Sequence, residues 1–425
     1  MKKMKKMKKI IYLFLALSLC LPVYAGSLPD VAESPPMGWN SWNWFGKQNI
    51  NETIIKEVID AMVSTGLRDA GYEYVVIDGG WRDIKLGPDG ELLPHPRRFQ
   101  GGIKALADYA HANGLKFGLH FVPGTHDCGG DPIGSLGREE VHLQQFIDWG
   151  VDFVKIDRCG NRESPWTEES IEEVYVRWHD LIANSGSDIV YSISAYQFRD
   201  WYPAVAHMAR TTYDISARAN AGAVFEDGNR NNNTFLSVMG VAELNNNYAQ
   251  YAGNGYWNDP DMMVTGNGLN PDEEQSHFAL WCIMSSPLML GNDPRNISDS
   301  ELEILLNEEA IAINQDPTEQ GRLIRTHGPT QIWVKELQGD RYAVLLLNRD
   351  GTQPRTVSFK MQWLGNPEAT STSPISFIRE YTGLEGKWRA RSVFEKKDLG
   401  PVGAEFSLST PPHGSHLLIL ERQEF

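Results

Sequence analysis

Long apolar runs, basic charge and cysteine are all scarce in this 425-residue chain. Beyond Ile10–Leu21 no stretch approaches the roughly 20 apolar residues of a membrane-spanning helix, so no membrane span is expected. The four cysteines do not combine with histidines at metal-site spacing, and neither a metal nor another cofactor is implied. Also missing is a glycine-rich turn between a strand and a helix, the phosphate-cradling signature of nucleotide-binding open sheets. Acidic residues outnumber basic ones by 55 to 39. That excess argues against nucleic acid or an anionic membrane as partner and suits a neutral substrate.

The basic residues are unevenly placed. Six lysines precede the apolar run Ile10–Leu21, and Val23-Tyr24-Ala25 offers a cleavage site, so residues 1–25 read as a signal peptide. The mature protein is then periplasmic or extracellular. Leu19 stands where a lipoprotein signal carries a small residue, which argues against an anchor at Cys20. Without the leader, 33 basic residues face 55 acidic ones, a formal charge of −22. Cys128, Cys159 and Cys282 remain, and an oxidising compartment allows one pair. Cys282, inside the apolar run Phe278–Leu290, reads as a buried free thiol.

What is present is an alternation of short apolar strands with amphipathic helices. Strands are predicted at Pro36–Trp42, Tyr74–Asp78, Leu115–Phe121, Val151–Ile156, Asp188–Ser194, Arg210–Asp214, Gly255–Met262 and Leu288–Asn292. Helices are predicted between them at Glu52–Asp69, Gly102–Asn113, Arg138–Trp149, Glu168–Asn184, Asp200–Met208, Thr234–Ala242 and Glu273–Ser285, with Ser300–Asn307 closing the series. Eight such units predict an α/β fold, a (β/α)8 barrel over residues 31–318, in preference to a doubly wound open sheet. After Asp316-Pro317 helical periodicity stops. Runs at Ile332–Val334, Tyr342–Asn348, Thr356–Phe359, Ser376–Glu380, Glu405–Leu408 and Ser415–Ile419 predict an antiparallel β-sandwich over residues 322–425.

The chemistry collects at the predicted C-terminal ends of the strands, where a barrel of this kind places its active site. Trp42, Asp78, His120, Lys155, Asp157, Ser194, Asp214, Asp259 and Asp261 all lie there. In VDFVKIDRC, Lys155 and Asp157 share one strand face, and a lysine so placed favours the ionised form of the aspartate. Several strand-end carboxylates without a metal signature point to paired-carboxylate chemistry, as in glycoside hydrolysis. Asp157 is then the nucleophile and Asp214 the proton shuttle, with Arg210 four residues before it on the same predicted strand. Thirteen tryptophans accord with sugar stacking, although Trp39, Trp44, Trp81 and Trp149 read as core or rim.

Six segments, PMGWNSW from Pro36, DAGYEYVVID from Asp69, GLKFGLH from Gly114, WGVDFVKIDRC from Trp149, WNDPDMM from Trp257 and INQDP from Ile313, together resemble glycoside hydrolase family 27. That family contains retaining α-galactosidases and α-N-acetylgalactosaminidases, and the resemblance runs from about Ser34 to the end of the chain. It implies Asp157 as nucleophile, Asp214 as acid/base, Trp42 as an aromatic platform under the sugar, and Asp78, Lys155 and Asp261 as hydroxyl ligands. It also implies a disulfide between Cys128 and Cys159, and an oligosaccharide or polysaccharide with a terminal galactose-like sugar as substrate.

Three departures from the family pattern bear on the substrate. Gly79 stands where a second acid commonly follows Asp78, and losing such an acceptor is worth roughly 1.5–3 kcal/mol. His120 replaces a tyrosine. Ser194-Ala195-Tyr196 replaces a Glu and a bulky residue beside the sugar's 2-hydroxyl, a change that the N-acetylgalactosaminidase branch shares in part. The reading is an exported α-galactosidase. An α-N-acetylgalactosaminidase, a β-L-arabinopyranosidase, an enzyme for a modified galactose and a non-catalytic sugar-binding protein are the alternatives.

Overall fold

The computed structural model describes residues 27–159, 166–218, 222–226, 235–364 and 386–423. The leader with Cys20, and the strand expected at Ser376–Glu380, lie outside them. Eight short runs form the strands β1 (Met37–Asn40), β2 (Tyr74–Ile77), β3 (Lys116–Phe121), β4 (Phe153–Asp157), β5 (Val190–Ser194), β6 (Met208–Arg210), β7 (Trp257–Asp259) and β8 (Leu288–Leu290). They pair in parallel in the order β8-β1-β2-β3-β4-β5-β6-β7. Met263, just past β7, makes a parallel bridge to Leu290 of β8 and closes the ring. This is the expected (β/α)8 barrel.

Helices α1 (Glu52–Ser64), α2 (Ile103–Ala112), α3 (Glu139–Trp149) and α4 (Glu168–Ser185) follow the first four strands. A single turn, Tyr202–Val205, follows β5 where the sequence predicts a longer helix. Then come α5 (Val238–Asn246), α6 (Pro271–Ile283), α7 (Asp299–Leu305) and α8 (Glu308–Gln315). Helix starts are set by side-chain caps: Asn51, Thr167 and Asn270 accept from the N–H groups of Ile54, Ser170 and Glu273. Gly150, at φ 74°, ends α3 and turns the chain into β4. Helix α8 is not anticipated by the sequence pattern. Asn307 reads there as a helix end, but its side chain caps a second helix by accepting from Ala310 N–H.

Two-residue periodicity sorts the strands. Tyr74, Val76, Phe153, Val190, Met208 and Trp257 form one apolar cluster inside the barrel, while Val75, Ile77, Val154 and Ile156 join the larger cluster under the helices. Space inside is tight. A Cβ on Gly38 would lie 2.4 Å from the Tyr74 carbonyl, so only glycine lets β1 approach β2 there. The same periodicity carries Lys155 and Asp157 up the inner face from Phe153, above this apolar floor.

The remaining chain forms β9 (Arg322–His327), β10 (Thr330–Leu337), β11 (Arg341–Asn348), β12 (Arg355–Lys360), β13 (Trp388–Ser392), β14 (Lys397–Val402), β15 (Glu405–Thr410) and β16 (Ser415–Arg422). Six of them make a sheet in the order β9-β10-β11-β16-β13-β14, and β12 pairs with β15. Its core includes Val344, Leu346, Phe359, Trp388, Leu418 and Leu420. Lys335 crosses from this unit to the barrel. Its buried ammonium donates to Ser285 Oγ (2.7 Å) and to the carbonyls of Ile313 (2.7 Å) and Asp316 (2.9 Å).

Glu274 on α6 is buried and accepts from Gly266 N–H at 2.9 Å. Burial pushes its pKa up to about 7 from an ordinary 4.5; the nearby Glu301 and Glu273 add to the rise. The raised folded-state pKa means that protonated Glu274 is the stabilising form. Its contribution is complete below about 4.5 and is lost as pH rises through about 7. Glu274→Gln keeps an acceptor for Gly266 and removes that loss. Denaturant midpoints should therefore favour the variant more at about pH 8 than at about pH 5; an offset equal at both would contradict the assignment.

Candidate active site

Loops following the barrel strands enclose a cavity of about 290 Å³ at the C-terminal mouth. Nine of the ten residues predicted to act on substrate line it: Trp42, Asp78, His120, Lys155, Asp157, Tyr196, Arg210, Asp214 and Asp261. Ser194 does not. It sits in register with Asp157 on β5, is 1% exposed, and its Oγ has no partner. Asp259, the turn residue in the sequence reading, is also off the cavity; its Oδ1 accepts from Asp261 N–H at 2.8 Å.

One side of the cavity is built on Asp78. Its Oδ2 accepts from Lys155 Nζ (2.9 Å) and Asn40 Nδ2 (3.1 Å), and its Oδ1 from Gly79 N–H (2.8 Å). Burial raises the carboxyl's pKa, but His120 and Lys155 outweigh it and hold the group ionised well below the usual range. This corrects the expectation that Lys155 serves chiefly Asp157. Both side chains climb the same strand face, yet the ammonium reaches across to β2. Burial works against the Lys155 charge, and Asp78 ahead of Asp157 and Asp261 raises its pKa.

Asp157 meets a different neighbour. His120 Nε2 lies 3.4 Å from its Oδ2, while its Oδ1 is buried with no hydrogen-bond partner. His120, Cys128 and Asp157 bring potential ligand atoms within 4.8 Å of one another, but Cys128 is disulfide-bonded to Cys159. Its sulfur is no thiolate, so the group does not fit a metal. Among the described residues Cys282 is the free cysteine, and it is buried.

The other side is built on Arg210. Its guanidinium contacts Asp214 Oδ1 at 3.2 Å and Asp261 Oδ2 at 2.9 Å. Arg210 is the last residue of β6 and Asp214 lies in the loop beyond. The expected meeting of the two occurs, but through a loop that folds back rather than by alternation along one strand. Leu236 N–H holds that loop through the Asp214 carbonyl at 2.9 Å. The Asp214 side chain is 41% exposed, against 2% for Arg210. Asp261 takes a positive φ of 99°, and its carboxylate accepts from Ile215 N–H and Met262 N–H. Tyr196 is the second cavity residue in the left-handed region, at φ 66°. Strained backbone at two wall positions is held by the surrounding contacts. Burial, with the charges of Asp157 and Asp214, pushes the Tyr196 phenol's pKa up and keeps it protonated.

Sequence reasoning missed Asn40, Lys47, Arg82, Asp127, Ile215 and Met262. Asn40 and Met262 sit inside the quoted motifs and could have been found as strand-end neighbours. Lys47, Arg82 and Asp127 come from long connections whose meeting depends on the closed ring.

A (β/α)8 barrel with several carboxylates gathered at its C-terminal mouth is an arrangement suited to paired-carboxylate hydrolysis of glycosides. Residues 34–316 match the family model described as alpha galactosidase A, and residues 327–420 match the alpha-galactosidase C-terminal β-sandwich domain. The chain belongs to this family of glycoside hydrolases, family 27. It is 38% identical to alpha-galactosidase 3 of Arabidopsis thaliana over 401 residues, covering 92% of this chain and 83% of the relative. Alpha-galactosidase A of Cellvibrio japonicus is also 38% identical, over 411 residues that cover 95% and 96% of the two chains. The crystal structure of alpha-galactosidase I from Mortierella vinacea aligns with a TM-score of 0.82 at 29% identity, over 92% of this chain and 98% of that one.

Arg210→Met would strand the buried Asp261 carboxylate without its counter-ion, at a cost of about 3–5 kcal/mol near neutral pH. Burial already raises the Asp261 pKa to about 6, and losing Arg210 raises it further. Protonation relieves the penalty, so part of the loss should return on acidification to about pH 5. Chemical denaturation at both pH values checks this. A loss that deepens with acid would contradict it.

Proposed function

We propose that the chain hydrolyses terminal α-D-galactosyl residues with retention of configuration. The Asp157 carboxylate attacks the anomeric carbon as Asp214 passes its proton to the departing glycosidic oxygen. The glycosyl-aspartate ester that forms is then opened by water. Asp214 removes the water's proton, the new C–O bond replaces the ester bond, and both carboxyl groups return to their starting states. The observation that carries this reading is the contrast between the two carboxylates. Asp157 is a buried carboxylate that lines the cavity beside His120, and Asp214 is an arginine-held, solvent-reached acid.

Trp42 and Tyr196 would supply apolar walls for the sugar ring, and Asp78, Lys155 and Asp261 would take its hydroxyls. The galactosyl preference rests on the relatives named above, all alpha-galactosidases. Ser194 and Ala195 are 1% and 0% exposed and add no room beside the sugar, which favours a plain galactoside over an N-acetylated one. The lysine-rich leader, followed by an oxidised cysteine pair, supports an exported enzyme.

Two variants test the assignment. Asp157→Asn should lower kcat on aryl α-galactosides by about 10³-fold or more, with the fold intact by circular dichroism. Asp214→Ala should lose far more on a disaccharide than on α-galactosyl fluoride, whose leaving group needs no proton. NMR should show the α-anomer of galactose released first. Release of the β-anomer, or an active Asp157→Asn, would overturn the mechanism.

A further inference from the structure

Arg82 is a cavity-lining cation that the mechanism above does not use. It is 5% exposed and makes no ion pair among the described residues. Its one hydrogen bond, from Nη1 to the Ile133 carbonyl, is long at 3.4 Å. A guanidinium carries five N–H donors, so most of its capacity is unspent.

The acids around it are already engaged. Asp127 gives Oδ2 to Lys47 Nζ at 2.9 Å and Oδ1 to Asp131 N–H at 2.9 Å. Both oxygens of Asp78 are taken by Lys155, Asn40 and Gly79. Asp131 reaches Lys47 at 3.2 Å. Burial lowers the Arg82 pKa to about 10, although the charges of Asp127, Asp78 and Asp131 work in the other direction. In the same cavity, the wall at Gly79 is open. A Cβ there would meet only Trp42 Cζ3, at an ordinary 3.5 Å. The cavity therefore holds a buried fork of free donors and unfilled space, and a planar or tetrahedral oxyanion is what such a fork recognises.

We propose that Arg82 and the gap at Gly79 form a subsite for an acidic substituent, a carboxylate or a sulfate ester, on the galactosyl residue being cleaved. The proposal rests on the galactoside-hydrolase reading and narrows its substrate to an acidic galactoside. Arg82 binds and orients the substituent; it takes no part in bond breaking.

The test compares kcat/KM for three aryl α-glycosides: plain galactoside, its uronic-acid counterpart and a sulfated galactoside. At least one acidic substrate should exceed the plain one, and the two acidic arms distinguish carboxylate from sulfate. Arg82→Gln should lower the acidic-to-plain ratio roughly 10- to 100-fold. Gly79→Asp, whose Cβ would meet only Trp42 Cζ3 at 3.5 Å, adds a competing carboxylate to the same cavity; it should lower the same ratio and serves if Arg82→Gln does not fold. A plain galactoside preferred over both acidic ones, or a ratio unmoved by either variant, would overturn the subsite while leaving the hydrolase reading intact. Inactivity of the folded protein on all three would instead overturn the hydrolase reading.

Discussion

Two buried cations, Lys155 and Arg210, fix the charged layer at the mouth of the barrel. Carboxylates removed from water are tolerable only when paired and hydrogen-bonded. Each cation meets that requirement for one side of the cavity, Lys155 through Asp78 and Arg210 through Asp214 and Asp261. Both cations point inward because two-residue strand periodicity leaves them no other face. Beneath them the floor of Tyr74, Phe153, Met208 and Trp257 is apolar, so the charges interact with one another rather than with water below. Asp157 stands between the two systems with one oxygen unclaimed.

The stable parts of the molecule serve that layer. The ring closes by a bridge between the segment after β7 and β8, and α6, which follows that segment, carries the contacts to the sandwich. Gln275 and Ser276 of α6 donate to the Ser415 and His413 carbonyls, and Lys335 ties β10 to the ends of α6 and α8. The Cys128–Cys159 bond joins the loops after β3 and β4 beside the cavity. These links hold long connections in place above a rigid barrel, the division of labour expected when function sits on loops.

Much of this was legible in the sequence. Apolar strands recurring between amphipathic helices gave the barrel, and inward alternation along β4 placed Lys155 and Asp157 together. The Arg210–Asp214 contact was foreseen for a wrong local reason: the strand stops at Arg210, and a loop supplies the geometry that alternation was expected to supply. Sequence proximity pairs Lys155 with Asp157, and that charge interaction exists, but the ammonium's hydrogen bond goes across the sheet to Asp78. Arg82 and Lys47 were not legible at all. Their place in the cavity follows from closure of the ring and the course of long loops, which local periodicity does not encode.

The claim on which the account turns is that Asp157 becomes covalently glycosylated during turnover. A fluorinated galactosyl fluoride, which slows opening of the ester more than its formation, should allow the intermediate to accumulate for peptide mass spectrometry. The account predicts one added glycosyl mass on the peptide containing Asp157. A glycosyl mass on a different carboxylate would contradict it.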